Sequence, residues 1–184
     1  LSGDIDLQGA YCAIEEARGT VTIDGNGKTI KNGASNKAIT QSNKNSSGQL
    51  SDYNVSPFIC KVIGKANVTV TDVTFENMNA KTITGGDVAP IAGCVEGNLT
   101  LIKVAVRNST AIGHRNVSAV IGSVSVGGKL TIEGTLTIEN VNVLTIGGRS
   151  ALICKVSNTN QLSIASNADI SIKNSSVGIY NNPE

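Results

Sequence analysis

Residues 66–79 read ANVTVTDVTFENMN, and variants of this phrase return along most of the chain. Each copy opens with alternating apolar and polar residues and then has an apolar residue, a charged residue and an asparagine. The copies occupy residues 19–33, 66–79, 97–110, 128–142 and 160–176. Their alternating runs begin at Val21, Val68, Leu99, Leu130 and Leu162; by subtraction, the last four starts lie 31, 31 and 32 residues apart. A constant period of this length predicts a solenoid of stacked repeats.

Two further phrases recur in a fixed order around this run. One precedes it, as SPFICKV from Ser56, APIAGCV from Ala89, SAVIGSV from Ser118 and SALICKV from Ser150. The other follows the asparagine and ends in AIT, TIT, AIG, TIG or GIY. Each unit therefore reads as three short β-segments separated by turns. The pattern predicts an all-β protein, a right-handed single-stranded parallel β-helix of about five coils with three short strands per coil.

The composition agrees with such a fold. The apolar residues are mainly Val, Ile, Leu and Ala, there is no Trp, and 20 Gly residues supply turns. Within residues 68–76, period-two alternation places the apolar side chains inward and the Thr and Glu side chains outward. Successive coils should pair as parallel strands about 4.8 Å apart.

An asparagine ends the alternating run of every unit. A stacked column of primary amides can exchange hydrogen bonds from one coil to the next, because each amide carries donors and acceptors. We expect this Asn ladder to have a structural role and to satisfy polar groups inside a tight, buried turn. Its members are Asn32, Asn77, Asn108, Asn140 and Asn174.

The 184 residues predict one β-helix domain, residues 1–184, interrupted by a polar loop at about 33–55. The next SPFI-type phrase begins 24 positions after Asn32, whereas it begins only 12 positions after Asn77. Loops on rigid scaffolds often carry function. Solvated decoration is our interpretation of this one.

The charge pattern excludes some partners. The net charge is +1 and no basic run occurs, so nucleic acid and an anionic membrane surface are not expected partners. No apolar run is long enough to insert into a membrane, and residues 1–20 do not read as a signal peptide. Glycosylation sequons fit a secreted protein, and they lie at Asn45, Asn54, Asn67, Asn98, Asn108, Asn116 and Asn174.

The phrases GTVTIDGNGKTIKNG and NVTVTDVTFENMNA, followed by Gly85-Gly86, resemble the pectate-lyase-like β-helix superfamily. They are most similar to its non-catalytic, adhesin-like branch, which includes polymorphic outer-membrane passengers. The resemblance spans most of the chain, although the GGAI phrase of that branch is absent. It implies a β-helix fold and an extracellular, adhesive role.

Enzymes of this superfamily act mostly on acidic polysaccharides and use clustered carboxylates, with Ca²⁺ and a basic residue in the lyases. In this chain the acids are scattered, and Glu15-Glu16 is the only adjacent acidic pair. The single histidine, His114, lies in a Gly-His-Arg turn, and Asp87 and Arg149 occupy similar turns of the neighbouring coils. We therefore predict no catalytic, cofactor-binding or metal-binding residues and no cofactor.

The four cysteines, Cys12, Cys60, Cys94 and Cys154, form no CxxC motif. Cys60 and Cys154 share one phrase position, whereas Cys94 is one residue out of register and should face the opposite way. We expect thiols that pack as small apolar side chains. A Cys12–Cys60 disulfide remains open if the register of the first coil differs by one residue.

The expected function is a non-enzymatic structural or adhesive module, extracellular or at the cell surface. Its expected partners are further copies of itself, in an oligomer or filament, or a cell-surface glycan or protein. The alternative is a carbohydrate-binding or polysaccharide-degrading β-helix, which needs acids or aromatic rings on one face. An ice-binding solenoid, with Thr69, Thr100 and Thr131 in register, is a third reading. The available aromatic residues are Tyr11, Tyr53, Tyr180, Phe58 and Phe75.

Overall fold

The computed structural model describes residues 1–10, 12–36, 54–82 and 86–180. These residues form a parallel β-solenoid of about four turns, whose strands stack into four sheets. Most of the predicted loop at 33–55 lies outside the described residues. After this gap in the described residues, Val55 pairs with Val88.

Sheet A is the long sheet of the solenoid, and every copy of the quoted phrase lies in it. Its strands are β1 (Ile5–Asp6), β3 (Thr20–Lys31), β6 (Asn67–Glu76), β10 (Asn98–Arg107), β14 (Lys129–Glu139), β18 (Leu162–Ile164) and β19 (Asp169–Lys173). The register shifts in the middle of each long strand, where β6 and β10 each skip one residue, β14 skips two and β3 skips three. Asp72 and Lys103 adopt positive φ at this point, with values of 51° and 53°. The skip is therefore a bulge that is repeated from turn to turn.

The other three sheets complete each turn. Sheet B contains β2 (Ile14–Ala17), β5 (Ile59–Val62), β9 (Ala92–Val95), β13 (Ile121–Val124) and β17 (Lys155–Val156). Sheet C contains β4 (Ala34–Asn36), β7 (Asn79–Lys81), β11 (Thr110–Gly113), β15 (Asn142–Thr145) and β20 (Ser176–Ile179). Sheet D contains β8 (Asp87–Val88), β12 (Asn116–Ser118) and β16 (Arg149–Ala151). The chain passes through sheets B, A, C and D in that order.

Two details differ from the sequence-based expectation. The phrase beginning at Ser118 was read as one segment, but it bends between β12 and β13, so a full turn has four strands. The last turn, residues 155–180, has no strand in sheet D among the described residues. The solenoid therefore has about four turns where five coils were expected.

The inward and outward assignments within residues 68–76 are confirmed. Val68, Leu99 and Leu130 are register partners in sheet A, and all three are buried. Column by column, such aliphatic residues fill the interior from one turn to the next. The predicted fold class is therefore confirmed, and its basis is the period-two burial of each repeat.

The bend between sheets D and B depends on small residues. Gly93 and Gly122 lie between directly paired positions of β9 and β13, so they occupy the same level of adjacent turns. A Cβ atom added at Gly122 would lie 2.5 Å from the Gly93 carbonyl oxygen and 2.7 Å from the Val88 backbone nitrogen. The backbones therefore approach too closely there for any side chain.

Candidate functional site

The predicted Asn ladder lies at the turn between sheets A and C. All five asparagines have positive φ, between 47° and 58°, a conformation that Asn adopts more readily than most residues. Asn77 donates to the Asn32 side chain at 3.3 Å, and Asn140 donates to the Asn108 side chain at 3.0 Å. The structure thus joins four of the five residues in two pairs.

The ladder is interrupted between these pairs and at its end. Asn108 donates to the Glu76 carboxylate at 3.1 Å, and Asn174 makes no side-chain hydrogen bond with any described residue. Four of the asparagines are exposed and Asn32 is half-buried. The expectation that the ladder satisfies buried polar groups is therefore wrong, because these side chains lie on the outer side of the turn. The turn instead requires a residue that tolerates the left-handed backbone conformation, and asparagine does so.

A polar groove lies at the corner between sheets D and B, and no sequence-based expectation included it. It has a volume of about 600 Å³. Asp87, Asn116 and Ser123 lie in its wall, and Glu96 and Lys155 also line it. Asp87, Asn116 and Arg149 are register partners in sheet D, while Cys94, Ser123 and Lys155 are register partners in sheet B. The bend between the two sheets brings these two columns together.

Asp87 is the central group of this corner groove. Only 4% of its surface is exposed. Asn116 donates its side-chain amide to one carboxylate oxygen at 2.6 Å, and the Ser123 hydroxyl donates to the other. The Arg115 guanidinium nitrogen Nε lies 3.9 Å from Asp87 Oδ1. A buried carboxylate is stable only with such partners, so these side chains form a hydrogen-bonded polar cluster in the wall of the groove.

Basic side chains line the adjoining end of the groove. A second pocket, of about 470 Å³, is lined by His114, Arg115, Asn116, Gly148, Arg149 and Lys155. Three of these residues, Arg115, Asn116 and Lys155, also line the first pocket. The corner groove therefore combines one buried carboxylate with a cluster of exposed cations. Such an arrangement can bind an anionic group next to hydroxyl-bearing groups.

The aromatic residues do not form a sugar-binding platform in the part of the chain that the structure describes. Phe58 and Phe75 are both buried, with ring centroids 4.8 Å apart. Tyr180 is half-buried, with the Lys81 ammonium 5.5 Å from its ring centroid. Tyr11 and Tyr53 lie outside the described residues. Of the two groups that carbohydrate binding was expected to need, only acids lie together on one face, at Asp87 and Glu96.

The predicted threonine column is in register. Thr22, Thr69, Thr100, Thr131 and Ser163 are successive partners along sheet A. The neighbouring outward column contains Asp24, Thr71, Ile102 and Glu133. A regular two-column threonine array, as an ice-binding surface needs, is therefore not formed.

The cysteines lie in three different settings. Cys60 and Cys154 lie in the same column of sheet B, where Gly93 and Gly122 occupy the two turns between them. Cys94 lies in the adjacent column, one residue out of register, as expected. The Cys94 thiol contacts the Ser125 hydroxyl at 3.1 Å, and burial raises its pKa. Burial also raises the pKa of Cys154, to about 11. Cys12 lies outside strand β2, and its thiol meets that of Cys60 at 2.7 Å.

The last described turn leaves part of the interior uncovered. Four large apolar side chains in residues 162–180 are substantially exposed: Ile164, Ile172, Val177 and Ile179. Their register partners in β14 and β15 are buried, among them Ile138 beneath Ile172 and Val143 beneath Val177. The exposed set forms an apolar end surface, defined here by these four residues.

Comparison with known proteins finds no matching protein-family profile, no matching curated protein and no matching solved structure. The resemblance noted in the sequence is therefore supported at the level of the β-helix fold alone. Within the described ranges, no group of three or more His, Cys, Asp or Glu side chains is placed to hold a metal ion. No helix in the described part of the chain is long and apolar enough to cross a membrane.

Proposed function

We propose that this chain is a non-enzymatic structural and adhesive module of the extracellular surface, of the adhesin-like β-helix kind, which associates end to end with further copies of itself. The observation that carries the proposal is the apolar end surface. Ile164 is 50% exposed and Ile179 is 73% exposed, although both point along interior columns. Side chains of this kind are normally covered, and strand edges beside them pair readily with another chain.

A second copy is the occupant that best fits this surface. At the opposite end of the solenoid, β1 pairs with only the Ile30–Lys31 part of β3, and Val21 and Ile23 of β3 are partly buried. Val21 shares its interior column with Leu162, and Ile23 shares its column with Ile164, through the partners in between. The first turn of a second copy would therefore continue the same columns in the same strand direction.

Stacking of this kind is head to tail. It joins two different surfaces of the same molecule, so each added copy leaves a new free end. Its product is an open filament and not a closed dimer. The sequons and the family resemblance support an extracellular setting for such a filament.

The test is the mass of the chain in solution. We expect light scattering to show a mass that rises with protein concentration and electron microscopy to show filaments. Replacing Ile164 and Ile179 together by Lys should abolish this rise, because each stacked end would then bury unpaired charges against the apolar first turn of the next copy. Circular dichroism should show that the variant keeps its β-structure.

The matched control is Val126→Lys. Val126 is 80% exposed but lies in the turn before β14, away from the apolar end surface. This variant should assemble like the unmodified chain. A chain that remains monomeric at every concentration would refute self-association, and equal loss of assembly in both variants would refute assembly through the apolar end surface.

The corner groove favours a second candidate function, the binding of an acidic glycan. Arg115, Arg149 and Lys155 would bind its carboxylates, while Asp87 and Asn116 would face its hydroxyl groups. Exposed cations give such binding a dependence on salt concentration. This role is compatible with the filament, because the groove opens on the side of the solenoid.

Calorimetric titration with a polyuronate oligosaccharide and a neutral one tests this candidate. We expect heat of binding from the acidic oligosaccharide alone, lost in the Arg149→Ala, Lys155→Ala double variant. Lys173→Ala, on the exposed face of sheet A, should bind normally. Equal binding of both oligosaccharides, or no binding, would exclude an acidic-glycan site in the groove.

A further inference from the structure

Cys12 and Cys60 approach each other although no strand pairing joins them. Their sulfur atoms are 2.7 Å apart, about 0.7 Å beyond the length of a disulfide bond. In sheet B, Ile14 pairs with Ile59 and Glu16 pairs with Lys61. The residue directly opposite Cys60 in the first turn is therefore Glu15. Cys12 reaches Cys60 through the bend that precedes β2, where the Ala13 amide donates to the Pro57 carbonyl at 3.1 Å.

We propose that Cys12 and Cys60 form a disulfide that fastens the first turn of the solenoid to the second. The other two cysteines have no such partner: Cys94 contacts serine hydroxyls, and Cys154 is separated from Cys60 by the two intervening levels of its column. At about 4.8 Å a level, that separation is too large for a disulfide. Of the possible disulfides among the four cysteines, the structure therefore favours Cys12–Cys60.

The chemistry of the pair suits oxidation by a small disulfide such as oxidised glutathione. The Cys12 thiolate attacks one glutathione sulfur, forming a mixed disulfide and releasing one glutathione thiolate. The Cys60 thiolate then attacks the Cys12 sulfur, and the second glutathione leaves. Both cysteines lose a proton and are oxidised, while the two glutathione sulfurs are reduced and take up those protons.

The environment makes Cys12 the attacking thiol. A hydrogen bond from the Cys60 thiol lowers the pKa of Cys12 to about 7. Cys12 is half-buried, so a small reagent reaches it, whereas Cys60 is buried behind it. A thiol with a pKa near the ambient pH is well suited to disulfide exchange.

The bond would span 48 positions of sequence and enclose the segment between the first and second turns. Cross-links that close long loops restrict the unfolded chain most strongly. Among the described residues, β2 lies at the edge of sheet B and pairs with β5 alone, so this part of the first turn is prone to local opening. A covalent link to the second turn would prevent that opening.

The experiment treats the 184-residue chain with oxidised glutathione and maps its peptides without reduction. We expect a mass about 2 Da lower than that of the reduced chain and one cross-linked peptide pair containing Cys12 and Cys60. After denaturation, two thiols should remain, at Cys94 and Cys154. The oxidation rate should rise with pH through about 7, and the oxidised chain should melt about 10 °C above the reduced one.

Three variants separate this bond from general effects of cysteine replacement. Cys12→Ser should abolish the cross-link and the oxidation-dependent rise in melting temperature, whereas Cys94→Ser and Cys154→Ser should retain both. A stable glutathione adduct on Cys12, a different cysteine pair, or four thiols after oxidation would overturn the proposal. None of these readouts depends on filament assembly, so the proposed function can fail while the disulfide stands.

Discussion

The middle turns of the solenoid and its last turn carry the same sequence pattern but differ in burial. Ile138 in β14 and Ile172 in β19 occupy adjacent levels of one column, yet Ile138 is fully buried and Ile172 is 44% exposed. Val143 and Val177 show the same difference in sheet C. A repeat therefore defines which side chain points inward, while burial depends on a neighbouring turn at each side. The stability of each turn is then set largely by its nearest neighbours.

Replacing the two isoleucines by alanine gives the largest expected contrast. Ile138→Ala should lower the free energy of unfolding by about 3–4 kcal/mol, because it leaves a cavity between two packed turns. Ile172→Ala should lower it by about 1 kcal/mol, since nearly half of that side chain already contacts solvent. Chemical denaturation at a low, fixed protein concentration measures both. Equal losses would mean that the last turn is covered in solution.

A comparison of two glycines should give the next largest effect. In the middle turns, Gly122→Ala forces a Cβ atom against the Gly93 carbonyl and the Val88 amide, so we expect a loss of about 2–3 kcal/mol. In the last turn, a Cβ at Gly178 would meet only the flexible Leu144 side chain, at 3.4 Å. Gly178→Ala should change stability by less than about 0.5 kcal/mol. A similar loss at both positions in thermal unfolding would contradict the close approach at the corner.

The same contrast separates what was predictable from the sequence and what was not. The columns of sheet A follow from the 31-residue period, because each inward residue has an equivalent one repeat later. The corner groove did not follow, because Asp87 and Ser123 come from different phrases and meet only through the bend between sheets D and B. The sequence indicates that Asp87 and Arg149 occupy similar turns and suggests His114 or Arg115 as the residue between them. In the structure, the neighbouring Asn116 is the register partner of both.

The contact between Cys12 and Cys60 was also only half predictable. The period aligns Cys60 with Cys154, and that alignment is correct. Cys12 precedes the first strand of sheet B, and the register of that strand places it opposite Pro57, three residues before Cys60. Its location depends on a bend that the periodicity does not describe.

The Asn ladder extends the comparison to the turns. Asn140→Ala should lower stability by about 2 kcal/mol, because alanine is strained at positive φ and the 3.0 Å bond to Asn108 is lost. Asn174→Ala should cost about 1 kcal/mol, since only the backbone strain applies there. Asn140→Gly should recover most of the loss at 140, because glycine tolerates this φ. If glycine fails to recover it in denaturant titrations, the amide and not the backbone is the important feature.

The charged column beside the ladder should give the smallest effect. Charges of alternating sign lie in register there, as Glu76, Arg107, Glu139 and Lys173 are successive partners. Arg107 Nε lies 3.3 Å from Glu139 Oε2, but both side chains are substantially exposed.

Because water and salt screen such a pair, a double-mutant cycle of Arg107→Ala and Glu139→Ala should give a coupling of about 0.5 kcal/mol or less. The coupling should shrink further in 1 M salt, where the Debye length is about 3 Å. The equivalent cycle of Glu139→Ala and Lys173→Ala, at the edge of the last turn, should give no more than this. A coupling well above 1 kcal/mol that survives salt would mean that the column is shielded from solvent. In a filament whose ends alone are covered, the middle of sheet A has no such shield, so this result would indicate lateral packing of solenoids through their long sheets.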